Sequence, residues 1–389
     1  MKVIVVTPAI PHPFGSTVAK WFYVLITGLA GRGHKVLCMT ASEESEKLVR
    51  DGINKLNVSG GNPGVDVRFF PMKPDLNVLR RKWRNVLRPF GELSYVDGLY
   101  DSLQVELKKG YDVLHLEELW TGWLGLGIPR SLLNITHFEI IDWEDKKFNS
   151  IGERKKFLQM ERATYKIIKK TKSMRVFSTR VLERAKTINP NANYWVLPFA
   201  LDLSNYPLQP MISEPVVGLL GSMHWEPSRS AAERLLTRIW PLIKKAVPQA
   251  KLLVAGWNAR KYLGKFMPMP DVTLEENLPH PKEFFSMVSV MVYAPSRGSG
   301  PKVKVMESMA YGVPVVTTWE GVEGIDYENG VHCFVAEEDE AIADKVVKLL
   351  NDPESRKIMR ENARGLLEEK YSAYPVMEKM MRVYEEIQY

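Results

Sequence analysis

Apolar residues fall into short runs rich in Val, Ile and Leu, and between the runs apolar positions recur at intervals of three and four. The runs read as strands buried on both faces and the intervening stretches as amphipathic helices, the alternation of βαβ units in mostly parallel sheets. The first half supplies KVIVVT (2–7), HKVLCMT (34–40), VDVRFF (65–70), DVLHL (112–116), NITHF (134–138), MRVFS (174–178) and YWVLP (194–198). The second supplies VVGLLG (216–221), KLLVAG (251–256), SVMVYA (289–294), VPVVTT (313–318) and HCFVA (332–336). Between them LDLSNYPLQPMISEP (201–215) has three prolines and no helical period, and reads as a linker. The pattern predicts an α/β protein with an N-terminal Rossmann-like domain (1–205), a C-terminal Rossmann-like domain (206–372) and a terminal helix (373–389).

Each half opens with a strand, a loop and a helix. PAIPHPFGST follows Thr7, and the helix from about Val18 to Ala30 stops at Gly31-Arg32-Gly33. GSMHWEPS follows Leu220, before a helix with Ala231, Leu235, Leu236 and Ile239 on one face. Both loops leave the carboxyl ends of strands, where doubly wound sheets bind ligands, so a cleft between the domains is the expected site. The last helix carries an apolar stripe of Val376, Met380, Val383 and Ile387. It caps its own domain or crosses back to the first; periodicity does not choose.

A chain of 389 residues, 45% hydrophobic and 25% charged, is neither disordered nor fibrous. No apolar run reaches the roughly 18 residues of a membrane span, the N-terminus lacks the flanks of a secretory signal, and Cys38 and Cys333 sit in apolar, strand-like surroundings. A cytoplasmic protein is expected. The net charge of +7 suits nucleic acid, anionic lipid or phosphorylated metabolites. Absent motifs narrow the chemistry: no strand ends in G-x-G-x-x-G, no Walker loop or G-x-S-x-G elbow occurs, no D-x-D pair is present and the histidines lack metal-ligand spacing. Neither a bound cofactor nor a metal is expected.

The stretch PSRGSGPKVKVMESMAYGVPVV (295–316) carries the positive signal. With a strand over 289–294 and a helix over 301–311, the amides of Gly300, Lys302 and Val303 lie at the helix start and Pro301 takes its first position. Those amides, the helix dipole, Lys302 and Lys304 favour a phosphate or diphosphate, while Gly298 and Gly300 permit close backbone approach. Glu307, on the same helix side, suits vicinal hydroxyls such as those of ribose. A nucleoside diphosphate meets both demands. A Gly-rich turn followed by a solvated glutamate, common in α/β proteins, is the other reading.

The segment PSRGSGPKVKVMESMAYGVPVVTTWEGVEGI (295–325) resembles the nucleotide-sugar motif of retaining, family 4-like glycosyltransferases of the GT-B fold (glycosyl transferases group 1), in the subgroup reading Gly-Ser-Gly-x-x-x-Lys-x-x-Glu. Gly15-Ser16, GRGHKV (31–36), THFEI (136–140), VLPFALD (196–202) and LLGSMHWEPS (219–228) match further pieces in order. The resemblance implies two Rossmann-like domains facing across a cleft, and transfer of a sugar from a nucleotide-diphosphate sugar to an acceptor hydroxyl with retention, without metal, by a front-face route. Glu307 matches the second glutamate of the E-x7-E motif and would hold the ribose; Ser299 stands where the first would be. Gly15 and Ser16 would approach the diphosphate or acceptor, and His137 the donor sugar. Ser222 occupies the position of the usual diphosphate arginine, with Gly221 before it and His224 or Arg229 as substitutes. The implied acceptor is a glycan, a lipid-linked molecule or a small molecule.

Blander readings stand beside these. His137 ends an apolar strand and reads equally as a satisfied core histidine; Asp202 reads as a turn-former, Glu323 as a loop carboxylate, and Trp225 as a loop closure or cleft wall. The segment LNVLRRKWRNVLRPF (76–90) reads as a basic amphipathic helix, docked on its own sheet or lying on an anionic membrane. No reader motif supports nucleic acid. A nucleotide-sugar epimerase and a non-catalytic glycan- or nucleotide-binding protein of the same fold are the rival functions.

Overall fold

The computed structural model describes residues 1–42, 51–54, 56, 64–72, 96, 98–143, 148, 150–276, 278–296 and 298–388. The basic segment 76–90 lies outside them. The chain divides into two compact units, Met1–Leu201 with Ala373–Tyr389, and Asp202–Ser372.

The first unit holds a seven-stranded parallel sheet of order β3-β2-β1-β4-β5-β6-β7. Its strands are β1 (Lys2–Thr7), β2 (Lys35–Ser42), β3 (Val65–Pro71), β4 (Val113–Glu117), β5 (Ser131–Ile135), β6 (Ser173–Val176) and β7 (Asn193–Val196). Ile4 sits opposite Leu37 on one side and Leu114 on the other. The central strands are buried on both faces, so their sequences show runs rather than alternation. Serine caps begin the helices: Ser16, Ser150 and Ser178 accept from the amides of Ala19, Glu153 and Val181 before helices Thr17–Ala30, Ile151–Lys170 and Thr179–Ile188.

The helix Ala373–Gln388 packs on this unit, not on the one that precedes it in the chain. Val376, Met377, Met380, Val383 and Tyr384 are buried, each worth about 1.5–3 kcal/mol of transfer free energy. Gly28 makes room for this docking, because a Cβ there would lie 2.7 Å from Met377 Cγ. Polar ties fix the register: Arg32 reaches Glu378 at 2.9 Å, Trp195 Nε1 donates to Glu386 at 2.8 Å, and Tyr384 Oη meets His115 Nδ1 at 2.6 Å.

The second unit holds a six-stranded parallel sheet, β10-β9-β8-β11-β12-β13. Its strands are β8 (Val216–Leu220), β9 (Lys251–Ala255), β10 (Val272–Glu275), β11 (Val290–Tyr293), β12 (Val315–Thr317) and β13 (Phe334–Val335). The stretch read as a linker is strapped to this unit. Arg356, Arg360 and Arg364, one helical turn apart on Pro353–Leu366, donate to the carbonyls of Ile212, Gln209 and Tyr206 at 3.4, 2.6 and 2.7 Å. Outside its one short turn, an extended Pro-rich segment offers its carbonyls to such a row.

Three boundaries differ from the sequence reading. β5 runs over Ser131–Ile135, so His137 lies beyond the strand that NITHF predicts. Leu132 and Leu133 extend the same apolar run backwards, and apolarity alone does not set the register. The helix predicted over 301–311 is Val303–Tyr311 with Lys302 as its N-cap, which leaves Pro301 in the loop. β10 was not anticipated: VTLE is short, lies at the sheet edge and buries only Leu274 fully.

Candidate functional site

In both sheets the strand order reverses beside the first strand of the unit, between β1 and β4 and between β8 and β11. Loops leaving the carboxyl ends at such a point diverge to opposite faces and open a crevice. The sequence-selected residues occupy these loops: Gly15 and Ser16 after β1, Gly221, Ser222 and His224 after β8, and residues 298–307 after β11.

In the second unit the loops after β8 and β11 touch. A Cβ at Gly298 would stand 3.0 Å from Pro227 Cγ, and Ser296 Oγ lies 2.8 Å from Ser230 Oγ and donates to Glu226 at 3.1 Å. Gly221 has backbone on one side and a cation on the other. A side chain at Gly256, where φ is +138°, would strike the Gly221 carbonyl, and a Cβ at Gly221 would lie 3.1 Å from Lys304 Nζ. Neither position tolerates a side chain without moving its neighbours.

Lys304 is a half-exposed cation of this crevice. Its ammonium donates to Ser228 Oγ at 2.5 Å and Tyr293 Oη at 3.3 Å. It lies 4.5 Å from the Tyr293 ring centroid and 4.9 Å from that of Trp225. Aromatic faces stabilise a cation without neutralising it. Burial pushes the Tyr293 phenol well above its usual range, and it stays a neutral partner.

Lys302 is turned the other way, and the expectation that both lysines meet the ligand needs correction. Its side chain is wholly buried and donates to the carbonyls of Gly298 and Gly300 at 3.0 and 2.8 Å, with Glu323 Oε2 3.9 Å away. Lys302 therefore staples its own loop. Ser299 is likewise fully buried. Because a trans peptide sets N–H opposite C=O, drawing the Gly298 carbonyl to Lys302 directs the Ser299 amide hydrogen away from it. Gly300, at φ +88°, makes the left-handed turn that this arrangement requires.

Glu307 sits in the second turn of the helix, nearly buried, and accepts a hydrogen bond from Tyr206 Oη at 3.2 Å. Tyr206 is held by the strapped segment and by the Tyr311 ring, 5.1 Å between centroids. Burial, reinforced by the Glu307 carboxylate, raises the Tyr206 phenol far above its ordinary pKa and fixes it as a donor. His224 is exposed and belongs to an aromatic group, with Trp257 at 5.8 Å between ring centroids and Tyr262 Oη at 3.4 Å. Ser222 is also exposed. Arg229 donates to the Met223 carbonyl at 3.4 Å and stacks on Tyr262. Asp202 caps its own turn through Ser204 and Asn205.

In the first unit Gly15 is half-buried and Ser16 caps the first helix. His137 is not a core histidine; its side chain is 31% exposed. The sequence reading missed a buried polar network below it. Glu117 accepts from Trp21 Nε1 at 2.8 Å and Asn134 Nδ2 at 2.5 Å, and His115 Nε2 is 2.8 Å away. Arg175 donates to Asn134 at 2.9 Å and to the carbonyls of Leu197 and Pro198 at 3.0 and 2.6 Å, over the face of Trp21. Burial brings the Arg175 pKa down to about 10, against the pull of Glu117. Lone charged letters inside apolar runs, in DVLHLEE and MRVFS, are the sequence signal for it.

Comparison with known proteins places this geometry. The whole chain superposes on sucrose-phosphate synthase from Thermosynechococcus elongatus with a TM-score of 0.74, covering 100% of this chain and 99% of that one at 14% identity. The fold is GT-B. Anabaena HepE in complex with UDP has the same GT-B architecture, with a TM-score of 0.68 and 13% identity over 99% of this chain and 100% of that one. Residues 214–352 match the family model described as glycosyl transferases group 1, which takes in most of the second GT-B unit. A capsular polysaccharide biosynthesis glycosyltransferase, CapM of Staphylococcus aureus, is 34% identical over 119 residues, 30% of this chain and 30% of its own length. Among the described residues no cluster of His, Cys, Asp or Glu is arranged to hold a metal ion, and no helix is long and apolar enough to cross a membrane.

Proposed function

We propose that this chain is a retaining, metal-independent glycosyltransferase that moves a hexosyl or N-acetylhexosaminyl group from a nucleoside diphosphate sugar to an acceptor hydroxyl. The observation that carries the reading is the crevice between β8 and β11: Lys304 over two aromatic faces, the Gly-Ser-Gly loop leading into a helix N-terminus, and Glu307 one turn in. In this reading Lys304 and the amides at the helix start take the diphosphate, and electrostatic stabilisation of the leaving group replaces a metal. Glu307, oriented by Tyr206, takes the ribose hydroxyls. The Ser299 amide supplies the sugar contact that the family's first glutamate would make, and His137 the sugar contact implied for the first unit. The relationship to a capsular polysaccharide enzyme favours a glycan or lipid-linked acceptor at the cytoplasmic side of a membrane. UDP in the HepE complex makes a uridine donor the first to try.

A thermal-shift panel of UDP-, GDP-, ADP- and TDP-sugars tests it. A donor at 100 times its Kd stabilises by about 2.7 kcal/mol. The expected result is a shift with one base, lost in Lys304→Met and reduced in Glu307→Ala, followed by nucleotide release when acceptor is added. No shift with any donor defeats the reading.

A further inference from the structure

Glu118 lies at the end of β4, and among the described residues of the first unit it and Arg130 are the non-glycine positions with positive φ. It follows the last residue of β4 with φ 68° and ψ 153°, a combination open in practice to glycine alone. Its neighbours hold it there: the Glu118 amide donates to the Asn134 carbonyl at 2.9 Å, and its own carbonyl accepts from Thr121 N at 3.1 Å and Thr121 Oγ1 at 3.2 Å. Such strain persists where the side chain it aims has a use. Here it turns the carboxylate beneath the end of β5. Glu118 is only 4% exposed, its Oε1 is shut off from solvent, and Oε1 lies 3.7 Å from His137 Nδ1 while Oε2 accepts the His137 amide at 3.4 Å.

We infer that Glu118 is a positioning residue for His137. At 3.7 Å, beyond hydrogen-bond reach, its buried carboxylate favours by charge the neutral tautomer with the proton on Nδ1, which makes Nε2 the acceptor nitrogen of the ring for a substrate hydroxyl. A carboxylate held near one ring nitrogen biases the tautomer toward the form protonated there, as hydrogen-bonded second partners of functional histidines do more strongly. The buried network on Glu117 and Asn134 anchors the two strand ends from which Glu118 and His137 project. The consequence for turnover rests on the glycosyltransferase reading; the dyad itself does not.

Glu118→Gly separates the two, since glycine accepts this backbone without strain while the carboxylate leaves with its two methylenes. The full chain labelled with 15N at histidine, with His137→Gln to assign the ring signals, reports the tautomer directly. The parent is expected to hold His137 as Nδ1–H. Glu118→Gly is expected to keep an unfolding midpoint at or above the parent's while the ring moves to the Nε2–H form that predominates for free imidazole. With UDP-glucose or the donor selected by the thermal-shift panel, kcat is expected to fall at least about tenfold and donor KM to stay within about twofold, the signature of an interaction realised in the transition state. A Glu118→Gly protein whose His137 keeps the parent tautomer, or whose kcat equals the parent's, overturns the inference. A parent that turns over no nucleotide sugar, with the tautomer change intact, overturns the functional reading and leaves the dyad standing.

Discussion

The two sheets use opposite means at equivalent edges. Beside β1 and β4 the first unit buries full charges, Glu117 and Arg175, joined through Asn134 and closed by Trp21, His115 and Tyr384. Beside β8 and β11 the second unit relies on glycines in near contact with other backbone and keeps one lysine half open. A dry network resists displacement, because each member left alone would be an unsatisfied buried charge. A glycine-lined loop beside a half-exposed ammonium held by two hydroxyls has less to lose when one member changes. One crevice is built to hold geometry; in the proposed function the other exchanges a ligand.

The strongest way to break that contrast is Glu117→Ala. Removing one partner of the buried network is expected to cost about 3–5 kcal/mol, read as a lower urea midpoint for the first unit. Lys304→Met should leave the urea midpoint within about 0.5 kcal/mol and instead weaken nucleotide binding about 10- to 100-fold, the worth of one or two charge-assisted hydrogen bonds. Isothermal titration with UDP and the other nucleotides measures it. If Lys304→Met unfolds the second unit as Glu117→Ala does the first, the contrast fails.

Acidification sharpens the same comparison. Burial acts to raise the Glu117 pKa, but His115, Asn134 and Arg175 together outweigh it and hold the folded-state value below the ordinary one. A depressed folded value means that its stabilisation is present in full above the unfolded pKa, about 4.3, and is lost as pH falls through the folded value. The urea midpoints of the parent and Glu117→Gln are therefore expected to converge as pH drops from 7 towards 3. The smallest effect belongs to Tyr206→Phe, which removes one hydrogen bond to Glu307 at a cost of about 0.5–1.5 kcal/mol in nucleotide affinity. A binding constant unchanged within error would detach Glu307 from the ribose.

Much of this was legible in the letters because a parallel strand buried on both faces must be a continuous apolar run. VIVV, VGLLG and VMVYA have no other comfortable home. That Lys304 and Glu307 share a side was legible for a related reason, since residues three apart on a helix, here the second and fifth of Val303–Tyr311, lie on one face. Lys302 was misjudged because two residues of backbone turn decide whether a lysine faces out or staples its own carbonyls, and residue type is silent on that. VTLE escaped because an edge strand need not be apolar. Glu118 escaped for a deeper reason: its signal is a backbone angle that glycine would normally announce, and no glycine is there.

The docking of the helix Ala373–Gln388 on the first unit bears on the order in which the protein is made. On a ribosome, the residues that cover Gly28 and reach His115 emerge only after the whole second unit has been synthesised. Until then the first unit has an uncovered apolar face along its opening helix. The second unit, continuous in sequence, is free to complete its core earlier, reversing the usual rule that the segment translated first is the first to be finished. A nascent chain stalled near residue 372 should therefore present a protease with a settled second unit and a vulnerable first one.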